Sequence, residues 1–149
     1  MKTKVLMVCL GNICRSPLAE GILKSKVNPD QVLVDSAGTT GYHEGNSPDE
    51  RSITVGHKFG IDISKQRSRK FTKQDFINFD IIYVMDKSNY SNIIGLTNNK
   101  EYQKKVRLLL DCVDLNENEV PDPYYDNDGF EHVYHLIDEA CEFIAKKIN

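Results

Sequence analysis

This sequence predicts an α/β fold in which a parallel sheet is covered by helices on both faces. Short apolar runs alternate along the chain with segments of helical period, and β-α alternation of that kind builds parallel strands joined by helical crossovers. Most of the runs are nearly continuous in apolar character, the composition of strands buried on two sides. With 149 residues, the chain is long enough for a substantial core, so residues 1–149 are read as a single domain.

Residues 4–9 (KVLMVC) read as the first strand and 16–27 as a helix, whose start is announced by Ser16 as cap and Pro17 as first helical residue. Residues 31–36 follow as a second strand, 48–59 as a helix, 80–85 (DIIYVM) as a third strand and 87–94 as a short helix. Residues 106–110 supply a fourth strand. The polar stretch 116–128, broken by Pro121 and Pro123, is a loop. Phe130, Val133, Ile137, Cys141, Ile144 and Ile148 recur at spacings of three and four, which makes the last segment an amphipathic helix.

Composition excludes several classes of function. The chain is 40% hydrophobic and 28% charged with a formal net charge of -3, so no nucleic-acid partner is expected. Met1 to Leu10 imitates a signal peptide, but the apolar run is too short and polar Gly11-Asn12 and Arg15 follow. No apolar run is long enough to span a membrane. The four cysteines, Cys9, Cys14, Cys112 and Cys141, are accordingly expected as reduced thiols in the cytoplasm. Their spacing does not match a zinc site, and no metal is expected.

The functional signal lies where the first strand ends. In CLGNICRS, residues 9–16, Cys9 and Arg15 are separated by five residues in a strand-to-helix loop. Ligands of open parallel sheets bind outside the carboxyl ends of strands, and a helix N-terminus offers free N–H groups and a positive dipole end to an anion. Leu10, Gly11, Asn12, Ile13 and Cys14 form the backbone of the loop; Gly11 lets the chain turn and Asn12 tolerates the left-handed conformation. Arg15 adds a planar, bidentate grip on phosphate oxygens. The same field favours the thiolate of Cys9, to which an inward-facing Ser16 hydroxyl could donate. The loop therefore reads as a cradle for a tetrahedral phosphate with a nucleophile at its lip.

A nucleophile that displaces an alkoxide or phenoxide needs an acid to protonate it. Asp122 in VPDPYYD is the candidate, framed by Pro121 and Pro123 and followed by Tyr124 and Tyr125, which could wall a slot for an aromatic ring. Asp126 and Asp128 are its competitors.

VCLGNICRSPLAE (residues 8–20), DSAGT (35–39), Met85-Asp86 and DPYY (122–125) together resemble the low-molecular-weight protein tyrosine phosphatases, and the resemblance covers nearly the whole chain. It implies a four-stranded parallel sheet in the order 2-1-3-4, the flavodoxin-like phosphotyrosine phosphatase I fold, and metal-independent chemistry with no cofactor. It also implies Cys9 as nucleophile, Arg15 as phosphate ligand, Ser16 as support for the thiolate and Asp122 as general acid and base. Ser36 would hold Asn12 in its unusual conformation, Asp86 would help order the loop, and Tyr42 would contact substrate at the pocket rim. Cys14 resembles a second loop cysteine able to protect Cys9 as a disulfide; the alternative is a buried small side chain. Animal members carry a histidine in the segment matching residues 63–67, and Gln66 is expected to substitute for it. The implied partners are tyrosine-phosphorylated proteins, with phosphate and vanadate as inhibitors and a monomer as the default state.

Three rival functions are weighed against this. An arsenate reductase of the same fold needs further cysteines after the third strand, and residues 87–105 contain none. A protein-arginine phosphatase resembles the chain but typically has threonine where Ile13 stands and lacks the paired tyrosines. A non-catalytic phosphate-binding module would need neither the thiol nor the acid. His132 and His135, one turn apart, are expected on a solvated face, as is the basic run Lys65, Arg67, Arg69, Lys70 and Lys73.

Overall fold

β1 (Thr3–Cys9) sits inside the sheet because its residues can be buried on either side: Val5, Leu6, Met7 and Val8 are all fully inaccessible in this computed structural model, which describes residues 2–124 and 129–148. Each such side chain contributes about 1.5–3 kcal/mol relative to exposure. β1 pairs in parallel with β2 (Val32–Gly38) on one side and β3 (Ile81–Val84) on the other. β3 then pairs in parallel with β4 (Val106–Leu108), giving the order β2-β1-β3-β4. This is the expected α/β architecture with the expected strand order.

Side-chain alternation divides the core in two. Val5, Met7, Val32, Val34, Tyr83 and Met85 face α1 (Arg15–Lys26) and α6 (Gly129–Ile148). Leu6, Val8, Ile82, Val84 and Val106 pack with Phe71, Phe76, Phe79 and Ile93 on the opposite face. Between β2 and β3 run α2 (Glu50–Lys58) and α3 (Asp75–Asn78), and between β3 and β4 run α4 (Lys87–Ile94) and α5 (Lys100–Gln103). In α6 the predicted stripe is buried from Phe130 through Ile144, with Ile148 half-buried. β1 leads through α1 to β2, and the chain then crosses back to β3 on the other side of β1. The strand order therefore reverses at β1, whose carboxyl end is Cys9, and an open sheet binds its ligands there.

Several boundaries differ from the sequence reading, each for a local reason. The first helix begins at Arg15, with Cys14 at the cap position and no side-chain cap. Ser16 and Pro17 are thus already inside the first turn, where proline is tolerated because its missing N–H has no partner to lose. The Ser16 hydroxyl bonds within the loop instead. Pro48 precedes α2, which Asp49 caps by accepting from the Arg51 N–H. β2 runs on to Gly38, since Ala37 and Gly38 pair with Val8 and Cys9. β4 stops at Leu108, and Leu109 and Leu110 are buried in a 3-10 turn, Leu109–Cys112. α3 and α5, four residues each, are too short to display a helical period.

Candidate active site

The loop from Cys9 to Arg15 is held by its carbonyls. Those of Cys9 and Leu10 accept from the N–H groups of Thr39 (2.9 Å) and Thr40 (3.0 Å), and that of Ile13 accepts from Asp49 N–H (2.8 Å). The Gly11 carbonyl accepts from the Ser68 hydroxyl at 3.0 Å and the Cys14 carbonyl from the Ser52 hydroxyl at 3.3 Å. In a trans peptide the N–H points away from the carbonyl it is bonded to. With five carbonyls tied to surrounding segments, the following N–H groups are left to the concave side, the arrangement that binds anions. The loop can lie this close to β2 because residue 38 is glycine: a Cβ there would stand 2.9 Å from the Leu10 carbonyl oxygen and 3.1 Å from the Asn12 nitrogen.

Asn12 takes the left-handed conformation foreseen for it, with φ 56°. Four partners hold it there. Its Nδ2 donates to Ser16 Oγ (2.7 Å) and Ser36 Oγ (3.0 Å), its Oδ1 accepts from Arg69 N–H (3.0 Å), and its own N–H reaches Cys9 Sγ (3.3 Å). Ser36 in turn donates to Glu20 Oε1 at 2.7 Å, and Lys24 holds the other Glu20 oxygen at 2.6 Å. Gln66 does not join this network. Its Nε2 donates to the Pro17 carbonyl at 3.0 Å, and its buried Oε1 has no partner among the described residues. The support expected from Gln66 is supplied by Glu20 acting through Ser36. Glu20 went unnoticed in the sequence, although it lies one helical turn after Ser16.

Cys9 ends β1 with 2% exposure, and its Sγ lies 3.1 Å from Ser16 Oγ. Arg15, also 2% exposed, is oriented by donating through NH1 to Asp86 Oδ2 (2.6 Å) and to the Val120 carbonyl (2.9 Å). Asp86 is itself fixed as the cap of α4, its other oxygen accepting from Asn89 N–H at 2.8 Å. Burial pulls the Arg15 guanidinium down, but its coupling to Cys9 and the bond to Asp86 outweigh that and raise it above its ordinary value. Asp122 lies over the same cation, with Oδ2 3.6 Å from Arg15 NH2 and Oδ1 accepting from Tyr124 N–H at 3.1 Å. Cys14, at 4% exposure, is a different thiol: burial first, then Asp49, Cys9 and Asp122, push it up to about 12. All four cysteines are free.

A cavity of about 290 Å³ gathers Cys9, Leu10, Gly11, Ile13, Cys14 and Arg15 at its base with Tyr42, His43, Asp122 and Tyr124 around it. Tyr42 stands out into solvent at 86% exposure. Tyr125, with the rival acids Asp126 and Asp128, lies outside the described residues. His43, absent from the sequence reading, packs against Gly11, where an added Cβ would meet its Cδ2 at 3.0 Å. Its position beside Tyr42 is the signal that could have found it. A larger cavity of about 790 Å³ flanks β4, α4 and α6, but it does not combine a nucleophile with a buried guanidinium.

Of the features expected to be merely solvated, Arg69 is an exception: it bridges Asp35 (3.2 Å) and Asp75 (3.1 Å), which holds its N–H against Asn12. His132 lies 2.8 Å from Glu117 on an exposed face. No helix among the described residues is long and apolar enough to cross a membrane.

The family described as low molecular weight phosphotyrosine protein phosphatase matches residues 4–149. A relative of that description in Homo sapiens is 40% identical over 149 residues, covering 96% of this chain and 94% of its own. A low molecular weight protein-tyrosine-phosphatase of Bacillus subtilis is 38% identical over 148 residues, covering 97% and 94%. Among solved structures, a protein tyrosine phosphatase from Entamoeba histolytica superposes with a TM-score of 0.92 at 39% identity, covering 98% of this chain and 96% of that one.

Proposed function

The chain belongs to the low molecular weight phosphotyrosine protein phosphatase family, and we propose that it hydrolyses phosphotyrosine in proteins through a phosphoenzyme formed on Cys9. The observation that carries this reading is one pocket containing a sulfur that accepts a hydrogen bond from the Asn12 N–H, a buried guanidinium and a carboxyl group beside an anion cradle.

The phosphate dianion enters the loop, where N–H groups and Arg15 hold its non-bridging oxygens. Cys9 Sγ attacks phosphorus on the side opposite the tyrosine oxygen. An S–P bond forms as the P–O ester bond breaks. Asp122 gives its proton to the departing phenoxide, so that tyrosine leaves neutral. In the second half, water attacks the phosphorus, the Asp122 carboxylate takes the proton, the S–P bond breaks and phosphate departs with Cys9 restored. Charge grows on the equatorial oxygens in both steps, and donors already in place cost no reorganisation then. Asn12 and Ser16 steady the sulfur, Ser36 steadies Asn12, and Asp86 steadies Arg15. Leu10, Ile13, Tyr42 and Tyr124 offer apolar surface to an aryl ring.

In this reading residues 1–149 act as one catalytic domain, a monomer in the cytoplasm, with phosphoproteins as partners and phosphate and vanadate as competitors. The test is hydrolysis of phosphotyrosine peptides against phosphoarginine peptides, with p-nitrophenyl phosphate as reference. Phosphotyrosine should be the faster peptide substrate, with no metal added and with competition by vanadate. Faster release from phosphoarginine would overturn the substrate assignment.

A further inference from the structure

We propose that Arg51 is a positioning residue for the general acid, acting through Tyr124 on Asp122; this rests on the acid role of Asp122 in the reading above. Arg51 lies in the first turn of α2, and two bonds fix its guanidinium plane on one carboxylate: Nε to Asp49 Oδ1 at 3.0 Å and NH2 to Asp49 Oδ2 at 2.9 Å. A two-point grip of this kind sets orientation as well as distance. The Asp49 N–H donates to the Ile13 carbonyl at 2.8 Å, so the plane is referenced to the phosphate loop itself.

The same guanidinium faces two aromatic rings. Its carbon lies 4.6 Å from the ring centre of Phe130, buried at the start of α6, and 5.6 Å from that of Tyr124. Phe130 is a fixed wall, whereas Tyr124 is the residue whose N–H orients the Asp122 carboxylate at 3.1 Å. Upstream, the acid's segment is anchored by Val120, whose N–H donates to the Met85 carbonyl at 2.8 Å and whose carbonyl accepts from Arg15 at 2.9 Å. Arg51 supplies a downstream hold. The contacts run without a gap from the Ile13 carbonyl through Asp49, Arg51 and Tyr124 to the Asp122 carboxyl. They tie the acid's placement to the cradle that places the phosphorus. A general acid works only within hydrogen-bond reach of the leaving oxygen, and a displacement of about 1 Å can cost about a hundredfold in rate.

The experiment compares kcat/KM for phenyl phosphate, whose leaving group needs a proton, with p-nitrophenyl phosphate, whose leaving group needs it far less. Arg51→Ala and Arg51→Lys are each measured with Asp122 intact and in the Asp122→Asn background. Arg51→Ala should lower kcat/KM about tenfold for phenyl phosphate and less than about twofold for the nitrophenyl ester. Arg51→Lys, which keeps a charge for Asp49 but not the planar guanidinium near both rings, should fall between. In the Asp122→Asn background Arg51→Ala should have no further effect, and in either background Arg51→Ala should leave inhibition by inorganic phosphate unchanged. Equal losses with both esters, an undiminished loss in the Asp122→Asn background, or weakened phosphate inhibition would make Arg51 a support of the cradle and overturn the proposal. If Asp122→Asn itself impairs both esters alike, the acid assignment falls and takes the proposal with it. A leaving-group-dependent Asp122→Asn beside an indifferent Arg51→Ala overturns the proposal alone.

Discussion

The two ends of the phosphate loop each carry a sulfur, and almost no solvent touches either one, yet their surroundings oppose each other. At the strand end, Cys9 Sγ faces the Asn12 N–H and the Ser16 hydroxyl and is coupled to Arg15. At the helix end, burial first and then Asp49, Cys9 and Asp122 push the Cys14 thiol up to about 12, even though Ser52 bonds it and Arg51 lies within electrostatic reach. What distinguishes the two sites is geometry: Cys9 Sγ faces a loop N–H and the Ser16 hydroxyl beside the Arg15 guanidinium, whereas at Cys14 carboxylates add to a burial that is already the larger influence.

Substitution tests this contrast most sharply. Cys9→Ser should lower turnover of p-nitrophenyl phosphate by at least about 10⁴-fold, as expected for a lost nucleophile, while Cys14→Ser should stay within about tenfold of wild type; steady-state kinetics on both variants would reverse the assignment if the losses were exchanged. Alkylation comes next. Iodoacetamide near neutral pH should label Cys9 and spare Cys14, and inorganic phosphate should slow the labelling; peptide mapping that finds Cys14 modified first breaks the comparison.

A smaller effect is expected behind the loop. Ser36→Ala removes the link between Glu20 and Asn12 and should reduce kcat by about five- to tenfold, the order of one lost hydrogen bond, without raising the KM for an aryl phosphate comparably. The smallest effect concerns stability. An unfolded thiol ionises near 9.0, while folded Cys14 keeps its proton until about 12, so the unfolded state releases its proton first. The contribution of Cys14 is complete below pH 9.0, drains as pH rises and is gone above about 12. Thermal denaturation should show Tm falling across that window, with a shallower fall in Cys14→Ala. Cys141, also pushed up by burial, retains its share of the slope in that variant.

The juxtaposition of Cys9, Arg15 and the left-handed Asn12 was legible in the sequence because they lie within seven consecutive residues, where chain connectivity fixes their separation. The strands were legible as short apolar runs and the long final helix through its periodicity, which α3, α5 and the 3-10 turn were too short to show. Ser16 was read both as a helix cap and as a neighbour of Cys9; the cap reading fails because the helix already begins at Arg15, and the Asn12 amide that also meets the hydroxyl is a partner helix rules do not include. Gln66 was misassigned for the same reason, since only packing reveals that its amide meets the Pro17 carbonyl.

By itself, then, the sequence determined the alternation of elements, the reversal point's occupant and the left-handed turn of one contiguous loop, since apolar patterning and short-range sterics act between neighbours. Only the tertiary structure decided that Glu20 braces Ser36, that Arg69 presents its N–H to Asn12, and that Asp122 comes to lie 3.6 Å from Arg15. Those contacts join segments far apart along the chain. A hydrogen bond or ion pair is decided over a few tenths of an ångström, a precision that only the packing of the sheet against its helices can set.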